Sequence, residues 1–221
     1  MDYLTLVQKF VERGILKTPE IIEAFKKINR ADFLLPHLKE EAGGDYALPL
    51  GFGQTISQPQ VVAFMLELLA PKPGDKILDV GAGSGWTSAL LAEIVGLPCP
   101  SSFRRSVGEK GKVLAVERIP ELCEFGKKNI SKYNFIEKGR VEFFCRDASG
   151  GLLKEAPFDK ILVSAAAQEI PLVLREQLKI GGRLVLPVKN SIWLVVRKSE
   201  HDFEEKEFPG FVFVPLLSDK K

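Results

Sequence analysis

Four side chains have types and settings that suggest chemistry: Ser57, Asp79, Glu117 and Asp147. Asp79 lies in Lys76-Ile-Leu-Asp-Val-Gly-Ala-Gly-Ser-Gly-Trp86, where residues 76–80 read as a buried strand and Gly81, Gly83 and Gly85 punctuate the chain. After Trp86, the apolar residues Leu90, Leu91, Ile94 and Val95 recur at helical spacing. A strand, a glycine turn and a helix bring backbone close to a ligand and aim a helix N-terminus at it. The Asp79 carboxylate beside that turn disfavours a pyrophosphate and favours a ligand carrying an amino group. The dinucleotide fingerprint also needs glycine where this chain has Trp86. With no catalytic dyad in view either, a nicotinamide-dependent oxidoreductase is the least favoured reading.

Glu117 and Asp147 follow the second and third predicted strands, 112–116 and 140–145. Ligands of open α/β sheets gather at the carboxyl ends of the strands, so three acids at three successive strand ends face one region. The D-x-G-x-G-x-G run resembles the turn of S-adenosylmethionine-dependent methyltransferases. On that cofactor Glu117 suits the two ribose hydroxyls, since a carboxylate offers paired acceptor oxygens. Asp147 suits the adenine amino group, and Asp79 the methionyl ammonium. The expected cofactor set is Asp79, Gly81, Ala82, Gly83, Ser84, Gly85, Glu117, Arg118, Asp147 and Ala148. Each acid also has an ordinary reading: Glu117 as a solvated residue after a strand, Asp147 as a turn carboxylate beside Ser149-Gly150-Gly151, and Asp79 as a cap on its own turn.

Ser57 sits in Leu48-Pro-Leu-Gly-Phe-Gly-Gln-Thr-Ile-Ser-Gln-Pro59, an uncharged, glycine-rich stretch placed to cover the site. The spacing predicts a helix over 57–69 with Ser57 as N-cap and Pro59 in the first turn. A substrate carboxylate docked at that helix N-terminus would meet the Ser57 hydroxyl and the amides of Gln58 and its neighbours.

These residues need a scaffold. Helices are predicted over 2–13 and 19–29, followed by a loop-rich stretch 30–58. Beyond the first strand come a long loop 96–111, a helix 120–131, strand 160–164, helix 168–178 and strand 180–187. Two more strands, 193–197 and 211–215, are expected to be joined by the acidic, lysine-bearing stretch 198–208. The alternation predicts a doubly wound, mostly parallel sheet with antiparallel C-terminal strands and an N-terminal helical segment. Residues 1–221 read as a single domain, with 1–58 covering a cofactor-binding core of 59–221.

The 221 residues are 45% hydrophobic and 27% charged, with a net charge of +2. That charge is too mild to argue for nucleic-acid or membrane binding. There is no apolar leader and no run of membrane-spanning length, so a cytoplasmic location is expected. Cys99, Cys123 and Cys145 are odd in number and lack metal spacing, so reduced thiols are expected. With only His37 and His201, neither a zinc site nor a histidine-centred triad is expected.

Gly53-Gln-Thr-Ile-Ser-Gln-Pro59 resembles the signature of the protein-L-isoaspartate O-methyltransferase family. Asn29-Arg-Ala-Asp-Phe33, Ala47-Leu-Pro-Leu-Gly51, Leu78-Asp-Val-Gly-Ala-Gly-Ser-Gly85, Pro157-Phe-Asp159 and Ser164-Ala-Ala-Ala167 carry the resemblance onward. It continues through Gly181-Gly-Arg-Leu-Val185 and Phe213-Val-Pro-Leu216 and so covers essentially the whole chain. The resemblance implies transfer of the S-adenosylmethionine methyl group to the α-carboxylate of L-isoaspartyl residues, or the β-carboxylate of D-aspartyl ones, in damaged proteins. The ester then closes to a succinimide that hydrolyses partly to normal aspartate. It implies Ser57 as catalytic residue, with Gln54, Thr55, Ile56 and Ser57 bordering the substrate, and a monomer is expected. The chain departs from the family at Ala148, where glycine is usual, and in the length of loop 96–111, whose Arg104 and Arg105 could touch an acidic substrate. Ser218 falls one residue away from a family hydroxyl near the substrate or cofactor. Two other readings stand beside this one: a methyltransferase for a small molecule or tRNA, and a fold that binds S-adenosylmethionine or partner proteins without catalysis.

Overall fold

In the chain's computed structural model, residues 1–98 and 111–217 are described. Five parallel strands form the centre: β3 (Lys76–Val80), β4 (Lys112–Glu117), β5 (Val141–Cys145), β6 (Phe158–Val163) and β7 (Leu178–Val188). β8 (Ser191–Arg197) and β9 (Phe203–Pro209) extend the sheet antiparallel, giving the order β5-β4-β3-β6-β7-β8-β9. β3 pairs in parallel with β4 on one side and β6 on the other. The chain therefore reverses its direction of winding between β3 and β6, and a crevice opens there beyond the carboxyl ends.

Apolar residues on both sides of the central strands explain their burial. Ile77, Val113, Ala115 and Leu162 face one side, and Leu78, Val80, Leu114 and Ile161 face the other. The first side packs under α3 (Pro59–Leu69), α4 (Trp86–Val95) and α5 (Pro120–Ser131). α1 (Tyr3–Glu12) and α2 (Pro19–Lys27) join the same apolar cluster through Leu6, Phe10, Ile21 and Phe25. The second side is covered more thinly, by Leu152 and Leu174 among others.

Several local expectations change. Stretch 30–58 holds two 3₁₀ turns, Arg30–Phe33 and Pro36–Glu41, and a hairpin of β1 (Leu48–Gly51) and β2 (Gln54–Ile56). Its two turn residues, Phe52 and Gly53, both have positive φ, 55° and 69°, as a tight hairpin of this twist requires. Pro49 and the clustered glycines hide the alternation that announces a strand.

The helix predicted over 168–178 shrinks to α6 (Leu172–Glu176), because Pro171 disfavours helical backbone at Ile170. The last strand is β9, inside the stretch taken as a connector, and residues 211–215 lie outside the sheet. β9 carries four consecutive exposed charged residues, Glu204, Glu205, Lys206 and Glu207. Charge is how an edge strand resists further pairing, and here it masks the strand's identity. The arginines of loop 96–111, together with Cys99 and Ser218, lie outside the described residues.

The thiol expectation is also corrected. Cys123 and Cys145 form a disulfide, with Cα atoms 5.7 Å apart. Spacing cannot reveal it, because β5 ends directly over the first turn of α5 only in the folded chain. Closing a loop between residues 22 apart in sequence removes freedom from the unfolded chain, worth about 2–4 kcal/mol. Cys145→Ser should lower the thermal midpoint by roughly 5–15 °C. A peptide map without reductant should show the two cysteines linked, with one free thiol titrating in the denatured, unreduced protein; three free thiols would overturn the assignment.

Candidate active site

The turn after β3 is held from three sides. Gly81 and Ala82 donate their N–H groups to the Val116 carbonyl, at 2.9 and 3.0 Å. Gly83 donates to Glu117 Oε2 at 2.9 Å, and Asn129 Nδ2 donates to the Ser84 carbonyl at 3.1 Å. Gly81, Gly83 and Gly85 all adopt positive φ, the region that side-chain-bearing residues avoid. Gly126 of α5 permits a close approach: a Cβ there would lie 2.7 Å from the Gly83 carbonyl oxygen.

This turn, the β2 strand and the ends of β4, β5 and β6 surround a cleft of about 850 Å³ of empty space, open to solvent. Its walls include Gln54, Thr55, Ile56 and Ser57. Gly81, Ala82, Gly83 and Ser84 of the turn line it as well, together with Glu117, Arg118, Asp147 and Ala148. Two of the anticipated residues do not border it. Gly85 turns away to pack on α5, where a Cβ would meet Ile130 at 2.9 Å. Asp79 lies one layer beneath, fully buried.

Glu117 is 6% exposed, and its two oxygens accept N–H groups from Gly83 and Ile119, both at 2.9 Å. Each carboxylate oxygen keeps a further lone pair, so the same group can still receive two neighbouring hydroxyls. Asp147 accepts the Ser149 N–H at 2.7 Å and the Ser149 hydroxyl at 3.2 Å, an Asx turn on the cleft wall. The turn role and the ligand-facing role coexist. Ala148 is buried and has no positive φ, so the usual glycine is not needed there for backbone reasons.

Ser57 is not the N-cap of α3. Gln58 takes that place because Pro59 occupies the first helical position and holds the preceding residue extended. The anion at this helix end is Asp45, whose Oδ1 accepts the Gln60 N–H at 2.9 Å. The helix terminus expected for a substrate carboxylate is therefore already served by Asp45. The Ser57 hydroxyl has no hydrogen-bond partner among the described residues and lines the cleft.

Sequence reasoning missed Trp86 and Thr87 at the start of α4, and Ile119 and Leu122 near the start of α5. It also missed Ser164 and the segment Val214, Pro215, Leu216 and Leu217. Ser164 was findable, since it follows the fourth core strand at the switch point. The C-terminal segment was not. It reaches the cleft because Ala166 donates its N–H to Val214 at 2.7 Å and accepts from Leu216 at 2.8 Å.

The Asp79 carboxylate is the most constrained charge in this region. Oδ2 accepts the Ser88 hydroxyl at 2.6 Å, while Oδ1 is buried without a partner. Burial pushes its pKa from 3.8 up to about 6, against the Ser88 hydrogen bond and with help from the nearby Glu117 charge. A buried carboxylate behind the turn fits a cationic ligand group held through water or through the field of its charge. Together with the open lone pairs of Glu117, it makes the cleft suited to a molecule with an ammonium at one end and a dihydroxylated ring at the other.

The sequence model of the protein-L-isoaspartate(D-aspartate) O-methyltransferase family matches residues 2–221. The chain is 40% identical to the protein-L-isoaspartate O-methyltransferase of Staphylothermus marinus, with 99% of this chain and 92% of that protein covered. It is 38% identical to the same-named protein of Methanopyrus kandleri, covering 97% and 91%. A Plasmodium falciparum structure assigned as a beta-aspartate methyltransferase in complex with S-adenosyl-L-homocysteine shares the fold. It has a TM-score of 0.83, 22% identity and coverage of 98% of this chain and 99% of that one.

The raised Asp79 pKa carries a pH signature. The native state binds this proton more tightly than the unfolded chain, so the group destabilises the ligand-free protein above pH 6. That penalty fades as pH falls from 6 to 4. It is of order 2–3 kcal/mol at 1.36 kcal/mol per pH unit. Asp79→Asn should therefore melt higher than the parent at pH 8, with the gap closing toward pH 4. A variant that melts lower at every pH overturns this account.

Proposed function

The chain belongs to the protein-L-isoaspartate(D-aspartate) O-methyltransferase family, and from that premise we propose how its residues carry out the repair reaction. The activity is transfer of a methyl group to the α-carboxylate of L-isoaspartyl residues, and the β-carboxylate of D-aspartyl ones, in damaged proteins and peptides. The cofactor is S-adenosyl-L-methionine, which when bound supplies an electrophilic methyl group on a sulfonium.

The observation that supports the site assignment is that the Ser57 hydroxyl, without a partner among the described residues, lines the same cleft as Glu117 and Asp147. In this reading Glu117 holds the ribose hydroxyls, Asp147 and Ala148 border the adenine, and the turn residues Gly81, Ala82, Gly83 and Ser84 bring backbone alongside the methionyl part. Asp79 supports the ammonium from beneath, Gly85 supports the turn by packing on α5, and Arg118 shields the ribose edge.

A carboxylate is ionised at neutral pH, so the substrate needs no general base. Ser57 donates a hydrogen bond to one carboxylate oxygen and leaves the other directed at the methyl carbon. Gln54, Thr55 and Ile56 flank the peptide and exclude water. Because charge is consumed as the bond forms, positioning in a dry site supplies most of the rate. Further readings are a monomer and a cytoplasmic enzyme acting on protein without nucleic-acid or membrane contacts. The mild net charge supports the absence of a nucleic-acid surface. Among the described residues no helix is long and apolar enough to cross a membrane.

Two short peptides identical except for L-isoaspartate versus L-aspartate, incubated with tritiated S-adenosylmethionine, test the reading. Base-labile label should appear on the isoaspartyl peptide alone. Ser57→Ala should slow turnover about 10- to 150-fold, the equivalent of roughly 1.5–3 kcal/mol for a hydrogen bond to a charged acceptor. Cofactor affinity should be nearly unchanged. Unaltered turnover in that variant removes Ser57 from the mechanism.

A further inference from the structure

Arg30 is fully buried, and among the described residues no carboxylate pairs with its guanidinium. A buried cation is stable only when most of its N–H groups are satisfied. Here backbone carbonyls serve both Nη atoms, while the buried Nε has no partner among the described residues. Nη1 donates to Gly44 at 2.9 Å and, at a longer 3.4 Å, to Ala42. Nη2 donates to Tyr46 at 2.8 Å and to Ser57 at 3.2 Å. The guanidinium carbon also lies 5.5 Å from the ring centre of Trp86, the first residue of α4 and part of the cleft wall. Burial lowers the pKa of Arg30 to about 10, so the group stays charged at neutral pH.

One planar fork thus joins the loop around Asp45, the backbone of Ser57 and the base of the cofactor turn. Its carbonyl partners Gly44 and Tyr46 flank Asp45, the residue that caps α3 immediately after Ser57. We propose that Arg30 is a positioning residue of the methyl transfer: it sets the Ser57 hydroxyl against the cofactor cleft by holding the Ser57 carbonyl and the α3 cap on a single guanidinium. The proposal rests on Ser57 as the group that meets substrate. Lysine cannot replace it, because an ammonium is a point donor without the fork needed to span these carbonyls.

The test compares Arg30→Lys, Arg30→Ala and Ser57→Ala. Calorimetry with S-adenosylhomocysteine counts folded, cofactor-competent sites, and turnover of the isoaspartyl peptide is expressed per such site. Both Arg30 variants should bind S-adenosylhomocysteine within about threefold of the parent affinity and turn over at least tenfold more slowly per site. Millimolar methylguanidinium should restore part of the turnover of Arg30→Ala and none of that of Ser57→Ala. If Arg30 only stabilises the fold, activity will fall in step with the number of binding sites, and turnover per site will match the parent. That result overturns the proposal. Loss of S-adenosylhomocysteine binding in Arg30→Lys overturns it as well, since the role assigned is toward Ser57 and not toward the cofactor. Parental turnover in Ser57→Ala would instead remove the reading beneath it, and the two failures remain distinct.

Discussion

The Glu117 carboxylate accepts N–H groups from two separate turns, Gly83 after β3 and Ile119 after β4. Both turns lie at the carboxyl edge of the sheet, where β3 and β4 run in parallel register through Val80 and Val116. The group therefore ties the adjacent loops after β3 and β4 and still presents lone pairs to a ligand. Its burial depends on α5 approaching the glycine turn closely, which Gly126 permits by having no side chain. Cofactor recognition and the local packing of the fold are served by the same few atoms.

The substrate side has a different organiser. The hairpin of β1 and β2 and the start of α3 have little regular structure beyond themselves, and they take their place from the buried Arg30 fork. Asp45 complements it by capping α3, and edge-on contacts of Trp86 with Tyr3 and Phe25 carry the N-terminal helices up to the turn. The two sides of the cleft thus meet through Trp86, which belongs to the cofactor turn by sequence and to the N-terminal cluster by packing.

Two structural choices raise the cost of building this site. Among the described residues, a carboxylate is buried at Asp79 with one oxygen unpartnered, and a cation is buried at Arg30 without a counter-ion. Asp79 lies behind a turn where a cationic ligand would offset its charge, and four backbone carbonyls offset that of Arg30. Groups of this kind mark positions where ligand binding outweighs the stability of the empty protein.

Much of the fold was legible locally. The β3–turn–α4 unit, the alternation of strands and helices and the glycine spacing follow from periodicity and from backbone conformations that few residues can adopt. Glu117 and Asp147 could be placed in one region because strand ends converge in any open α/β sheet, and Ser57 beside them because its glycine-rich stretch leads into the first core unit. What local sequence could not settle involved partners far apart along the chain. Asp45 rather than Ser57 serves the α3 terminus, Cys123 meets Cys145, the charged edge β9 replaces the apolar stretch 211–215 as final strand, and residues 214–217 return to wall the cleft. Residue spacing encodes backbone geometry within an element. Which distant groups satisfy one another is decided only when packing brings them together, so the sequence determined the cofactor turn and the class of chemistry, and the tertiary structure decided how Ser57 is held.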